Sequence, residues 1–154
     1  MSETNTRKVK KRAGTVIHGA VSEHAAEKAK QIRAKYGPTI NYQVLLGILG
    51  DRESIRHPVK IEFTSKEIEP GMFAKTESVS EDPTEGYTVF LHEQFRYREE
   101  VLPALILYQT VIANYGDLAT AIDAEIFGAG VLGMDRDEYY ELICESADSI
   151  WDVH

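Results

Sequence analysis

The stretch ALILYQTVIANYGD, residues 104–117, is a long apolar segment that predicts a helix. Apolar side chains cover most of the circumference of the helix predicted here, and a helix that is apolar nearly all round is buried nearly all round. Pro103 near its start and Gly116 at its end are typical helix boundaries. We therefore expect this helix to be enclosed by the rest of the protein, with Tyr108 and Gln109 as its polar interruption.

The remaining segments predict further helices around a small sheet. Val59, Ile61 and Phe63 alternate with polar residues, as in a half-buried strand. The segment 87–93 also predicts a strand, covered on both faces because Phe90 lies opposite its other apolar residues. Asp117 is the predicted cap of the helix after the apolar one. The full prediction is helices at 22–36 and 41–50, strands at 57–63, about 72–76 and 87–93, and three helices after residue 98. This order indicates an α+β fold with a mainly antiparallel sheet of about three strands.

Charge is distributed unevenly along the 154 residues, whose formal net charge is −8. Residues 1–12 hold five Lys or Arg against Glu3, so they are basic while the rest is strongly acidic. We expect residues 1–20 to be a disordered basic tail with a Ser22 helix cap after it, and residues 21–154 to be one domain. An acidic body repels phosphates, which disfavours nucleic acid as a partner.

Two composition features bear on location. Cys144 is the single cysteine, so the chain cannot form an internal disulfide, which suits a reducing cytoplasm. No apolar run reaches the ~18 residues that read as a membrane-spanning helix. The expectation is a cytoplasmic protein without a membrane partner.

The segment DAEIFGAGVLGM, residues 123–134, and the position of the apolar helix resemble the small zincin-like metallopeptidases of the ImmA/IrrE type. In that family a helical region precedes a short sheet. A central helix then carries the zinc motif HExxH, and the following helix supplies a third carboxylate ligand. The resemblance covers roughly residues 22–145 and implies that residues 105–117 correspond to the metal helix.

The chain departs from the family at the positions that would carry the chemistry. Tyr108 and Ile112 stand where the two histidines are expected, Gln109 stands in place of the general base, and Asp123 takes the place of the third ligand. A glutamine cannot take a proton at neutral pH, and catalytic zinc needs three protein ligands. The resemblance therefore implies a vestigial cleft without metal or cofactor. Alternatively, Tyr108 and Gln109 are ordinary packed residues of a helix.

Three functions remain open at this stage. The leading expectation is a non-catalytic zincin-like domain that acts through protein contacts or regulation, with a protein partner or a second copy of itself. The second is a metal-dependent hydrolase whose site is assembled from His57, His92, Glu93 and Asp123. The third is a small-molecule binding module with a pocket beside the apolar helix.

Overall fold

The described part of the protein is built from five α-helices and one three-stranded sheet. The computed structural model describes the backbone of residues 2–66 and 68–151, and side chains over 19–66 and 68–151. The predicted α+β class is confirmed. The elements are α1 Ser2–Tyr36, α2 Tyr42–Leu49, β1 Val59–Thr64, β2 Ala74–Ser78, β3 Tyr87–His92, α3 Leu102–Tyr115, α4 Ala121–Leu132 and α5 Arg136–Trp151.

The first helix extends beyond the segment predicted for it. Because α1 is already helical before Ser22, the prediction that this residue caps the helix is wrong. Its hydroxyl instead donates to Asp123 Oδ1 on α4, at 2.5 Å. The basic tail predicted over residues 1–20 falls almost wholly outside the residues whose side chains are described, so it stays a prediction. Among the described residues, no helix combines the length and apolarity needed to cross a membrane.

The sheet has the order β1-β3-β2 and is mixed, not mainly antiparallel. β1 pairs with β3 in parallel, and β2 pairs with β3 in antiparallel. Val89 and Leu91 of β3 are fully buried, whereas Thr88 and Phe90 on the other face are only half-buried. The second face of β3, which was predicted to be covered as well, is therefore covered only in part. The sheet buries one face, toward α3.

Helix α3 is enclosed by the rest of the chain, as its sequence predicted. Ten of its 14 residues are buried, which leaves Ile112 as its exposed large apolar side chain among the residues described. The helix packs against β2 and β3 on one side and against α4 and α5 on another. Contacts on several sides thus explain why α3 is apolar around most of its circumference.

Helix α4 begins at a different cap from the one predicted. Thr120, and not Asp117, caps it: the Thr120 hydroxyl accepts from Asp123 N, and the Asp123 carboxylate accepts from Thr120 N. Gly128 lets the buried Tyr139 ring of α5 approach the helix backbone, since a Cβ there would lie 2.1 Å from the ring. This glycine therefore has a packing role between α4 and α5.

Candidate functional site

Strand β2 forms an edge of the sheet and presents part of its backbone outward. His92 N donates to Phe73 O, and Val79 N donates to Gly86 O, at the two ends of the β2–β3 ladder. Hydrogen-bonded positions alternate along an antiparallel pair, so residues 73, 75, 77 and 79 face β3. The N–H and C=O groups of Thr76 and Ser78 therefore face away from the sheet.

A hydrogen bond joins this edge strand to the central helix. Thr76 Oγ1 donates to Gln109 Oε1 at 2.7 Å, and Gln109 is only 4% exposed. The register of β2 explains the contact: Thr76 lies opposite the buried Val89, on the face of the sheet that α3 covers. The Gln109 amide therefore has a structural partner on β2.

A cleft of about 420 Å³ opens beside Gln109, between α3, the residues leading into β2, and helices α4 and α5. Tyr108 and Ile112 line it, and the ring of Phe73 meets Tyr108 edge-on at a centroid distance of 5.8 Å. Burial raises the pKa of the Tyr108 hydroxyl, and the negative charge of Glu125 raises it further. The phenol therefore stays neutral at physiological pH.

A second cleft, of about 320 Å³, lies at the end of β2, between this strand, the loop that follows it and the end of α3. It is lined by Thr76 and Ser78 on the strand and by Gly116 and Asp117 after α3, and it adjoins the first cleft at Ile112. We call the two together the β2–α3 groove. Its length along the strand, from Phe73 to Ser78, is roughly 17 Å at the usual rise per residue.

Asp123, the fourth residue of the predicted vestigial cleft, does not line the groove. Its carboxylate is buried and receives hydrogen bonds from Ser22 and from the backbone and hydroxyl of Thr120. Its neighbours Thr120 and Ala124 line the first cleft instead. Three of the four predicted residues thus lie at one groove, and Asp123 serves to hold α4 to α1.

The residues of the alternative metal site do not converge. His57 contacts Tyr87 at the start of β3, whereas His92 ends that strand, roughly 17 Å away by strand rise. His92 Nδ1 accepts from Gln94 N in a local hydrogen bond, and Glu93 pairs with Arg96 at 2.7 Å. Within the described residues no three His, Cys, Asp or Glu side chains are placed to hold a metal ion. The predicted convergence is wrong.

The side chains around the first cleft are suited to packing more than to proton transfer. Its described lining contains no Asp, Glu, His, Lys or Arg. The thiol of Cys144 is the side chain of this lining that could act as a nucleophile. The neighbouring Cys144 side chain is the main reason why the pKa of Tyr140 is raised. A surface of this kind can hold apolar side chains, with Gln109 and the outer backbone of β2 as polar contacts.

Sequence reasoning identified Tyr108, Gln109 and Ile112 but missed the partners that make them a site. Thr76 and Phe73 lie in the segment of about 72–76 that was predicted as a strand, but nothing local shows that β2 is an edge strand. The sequence feature that indicates the start of β2 is the Pro70-Gly71 turn before the strand.

Comparison of the chain with protein-family models, with curated proteins and with solved structures finds no match in any of the three.

Proposed function

We propose that this protein is a non-catalytic, zincin-like interaction domain that binds an extended segment of a partner protein in the β2–α3 groove. The observation that carries the proposal is the outward backbone of Thr76 and Ser78 beside an apolar cleft. An edge strand with free N–H and C=O groups can pair with an added strand, and neighbouring pockets then select its side chains.

The residues that line the groove indicate the length, apolarity and charge of the partner segment. Tyr108, Phe73 and Ile112 offer apolar and aromatic surface, which anchors interfaces. Glu81 and Asp117 are the charged side chains among the described residues that line the second cleft. The partner segment should therefore be about five or six residues long, extended, apolar toward Tyr108 and basic toward Asp117.

The absence of catalysis follows from the chemistry of the positions that correspond to HExxH. Tyr108 is a neutral phenol, Gln109 already accepts from Thr76, and Ile112 has no donor atom. These three side chains do not supply the nitrogen and carboxylate ligands that zinc requires. Protein purified without chelator should contain only substoichiometric zinc by elemental analysis, and one firmly bound zinc per chain would contradict the proposal.

Selection of random peptides by the full chain, followed by affinity measurement, tests the interaction itself. Ile112→Glu places a charge in the groove at a site that is already 41% exposed, so folding should survive. Leu46→Glu on α2, at 39% exposure and outside the groove, is the matched control. Peptides should bind the control normally and bind Ile112→Glu at least about tenfold more weakly. If no selected peptide distinguishes the two variants, the groove is not the binding site.

A further inference from the structure

A further cavity, separate from the two clefts of the groove, lies on a different face of α3. It has a volume of about 310 Å³ and lies between α1, the loop after α2, and the second half of α3, with Phe127 of α4 contributing to its wall. We call it the α1–α3 pocket. Its remaining lining residues are His24, Lys28, Arg52, Glu53, Ser54, Ile55, Arg56, Thr110, Val111, Asn114 and Tyr115.

Three cations of this pocket have no carboxylate partner within the described residues. Lys28 Nζ donates to the carbonyl of Glu53 at 2.8 Å, and Arg52 donates to the carbonyls of Leu49 and Ile55. Backbone carbonyls hold Lys28 and Arg52 in place but do not neutralise their charge. Arg56 makes no side-chain hydrogen bond or ion pair with any described residue.

The one carboxylate of the lining is directed elsewhere. The Glu53 side chain is 88% exposed, and its Oε2 lies 3.6 Å from Lys35 Nζ, which also pairs with Asp51. Three cations without a carboxylate partner at one cavity are unexpected in a chain with 25 acidic and 17 basic residues. Their local field favours an anion.

The wall of the pocket is apolar and its neutral polar groups are already engaged. Ile55, Val111 and Phe127 are buried. Asn114 Oδ1 accepts from Arg56 N and its Nδ2 donates to Thr110 O, while His24 Nδ1 and the Tyr115 hydroxyl are hydrogen-bonded to each other. The groups left to meet a ligand are the cations and the apolar wall.

We propose that the α1–α3 pocket binds a small organic anion, with its oxyanion group on Arg56, Lys28 and Arg52 and its apolar body against Val111 and Phe127. Guanidinium groups bind carboxylate and phosphate oxygens through parallel N–H donors, and the cavity is large enough for a ring-sized body. This site is separate from the groove. It corresponds to the third function that the sequence left open, a small-molecule binding module.

Titration of the full chain with three probes defines the ligand chemistry. Phenyl phosphate and benzoate share an aromatic body and differ in the oxyanion, whereas inorganic phosphate lacks the body. We expect at least one aromatic anion to bind more tightly than inorganic phosphate, and the preferred head group to distinguish a phosphate from a carboxylate ligand. Equal binding of all three, or no saturable binding by any of them, would overturn the proposal.

Matched charge variants locate the binding. Arg56→Gln removes a side chain that has no partner in the described structure, and it should weaken binding about tenfold or more, since a charged hydrogen bond is lost. Lys60→Gln on β1 makes the same change in net charge outside the pocket and should leave affinity unchanged. Equal weakening by both variants would show non-specific attraction and would refute the site.

A histidine beside the pocket supplies a second readout. The pKa of His57 is lowered by burial and then by the charges of Arg56 and Arg52. An anion bound to these arginines should offset their field and raise the His57 pKa, which NMR titration of the imidazole measures. If a probe binds but leaves this pKa unchanged, it does not contact the arginines, which contradicts the assignment.

Discussion

The hydroxyl of Thr76 donates a 2.7 Å hydrogen bond to the side-chain carbonyl of Gln109, and this bond joins the edge strand β2 to the buried helix α3. It fixes the distance between the two walls of the β2–α3 groove. Gln109 therefore has a structural role that is compatible with a binding groove.

Breaking this bond from one side should be more costly than removing both partners. Thr76→Val leaves the buried Gln109 oxygen without its donor and should lower the free energy of unfolding by about 1–3 kcal/mol. The double variant Thr76→Val/Gln109→Leu should lose less than the sum of the two single variants, because it leaves no orphaned polar group. Urea denaturation of the four proteins gives the coupling energy. Additive losses would mean that the bond does not form.

Gly128 should be intolerant of a side chain. A Cβ there would meet the ring and hydroxyl of Tyr139, which is fully buried and donates to Ala104 O at 2.6 Å, so the ring has no room to move. We expect Gly128→Ala to lower the free energy of unfolding by about 1–3 kcal/mol. Gly47→Ala is the control, since nothing lies within 4 Å of a Cβ there, and it should gain up to about 1 kcal/mol. Equal effects in thermal denaturation would contradict the α4–α5 packing described.

Asp123 should matter for stability, whereas Asp117 should not. Asp123→Ala removes the carboxylate half of the α4 capping box and the acceptor of Ser22, and we expect a loss of about 1–3 kcal/mol in the free energy of unfolding. Asp117→Ala changes an exposed residue that does not cap α4 and should stay within about 0.5 kcal/mol of the parent. The reverse order in chemical denaturation would favour the cap that the sequence suggested.

The carboxylate of Asp51 should make the free energy of unfolding depend on pH in the acidic range. Its carboxylate accepts from Lys35, Tyr36 and Ser54, and these bonds, Lys35 first, hold its pKa well below the usual 3.8. A carboxyl group whose pKa is depressed by folding stabilises the protein above its unfolded pKa, and this stabilisation is lost as pH falls through the folded pKa.

The measurement is the difference in unfolding free energy between the parent and Asp51→Asn. We expect it to be largest above about pH 5 and to shrink progressively from about pH 4 downward. A difference that is constant across this range would show that the carboxylate is not held in its ionised form by these partners.

The helical part of the fold is predictable because its signals are local. The apolar circumference of residues 104–113 indicates burial whatever the neighbours are, and Asn41 and Gly50 bracket α2 close to where the sequence places it. Strand positions were also indicated, to within about two residues. Strand pairing was not, because the parallel pairing of β1 with β3 places β2 at the edge through contacts that no short segment encodes.

The candidate sites were only partly accessible from the sequence for the same reason. Tyr108, Gln109 and Ile112 belong to one helix, so they could be named together. Thr76 lies 33 residues before Gln109, and the cations of the α1–α3 pocket come from α1 and from the loop after α2. Only the tertiary structure brings such residues together, and it also separates His57 from His92.

Amide hydrogen exchange at Thr76 and Ser78, with and without a selected peptide that binds the full chain, tests whether a peptide strand pairs with β2. Both backbone N–H groups face outward from β2, so they should exchange readily in the free protein and become protected when a peptide strand pairs with them. Protection at these two amides, lost again in Ile112→Glu but kept in Leu46→Glu, is the predicted result. Tight peptide binding that leaves both amides unprotected would contradict the central claim that the outer edge of β2 is the binding surface.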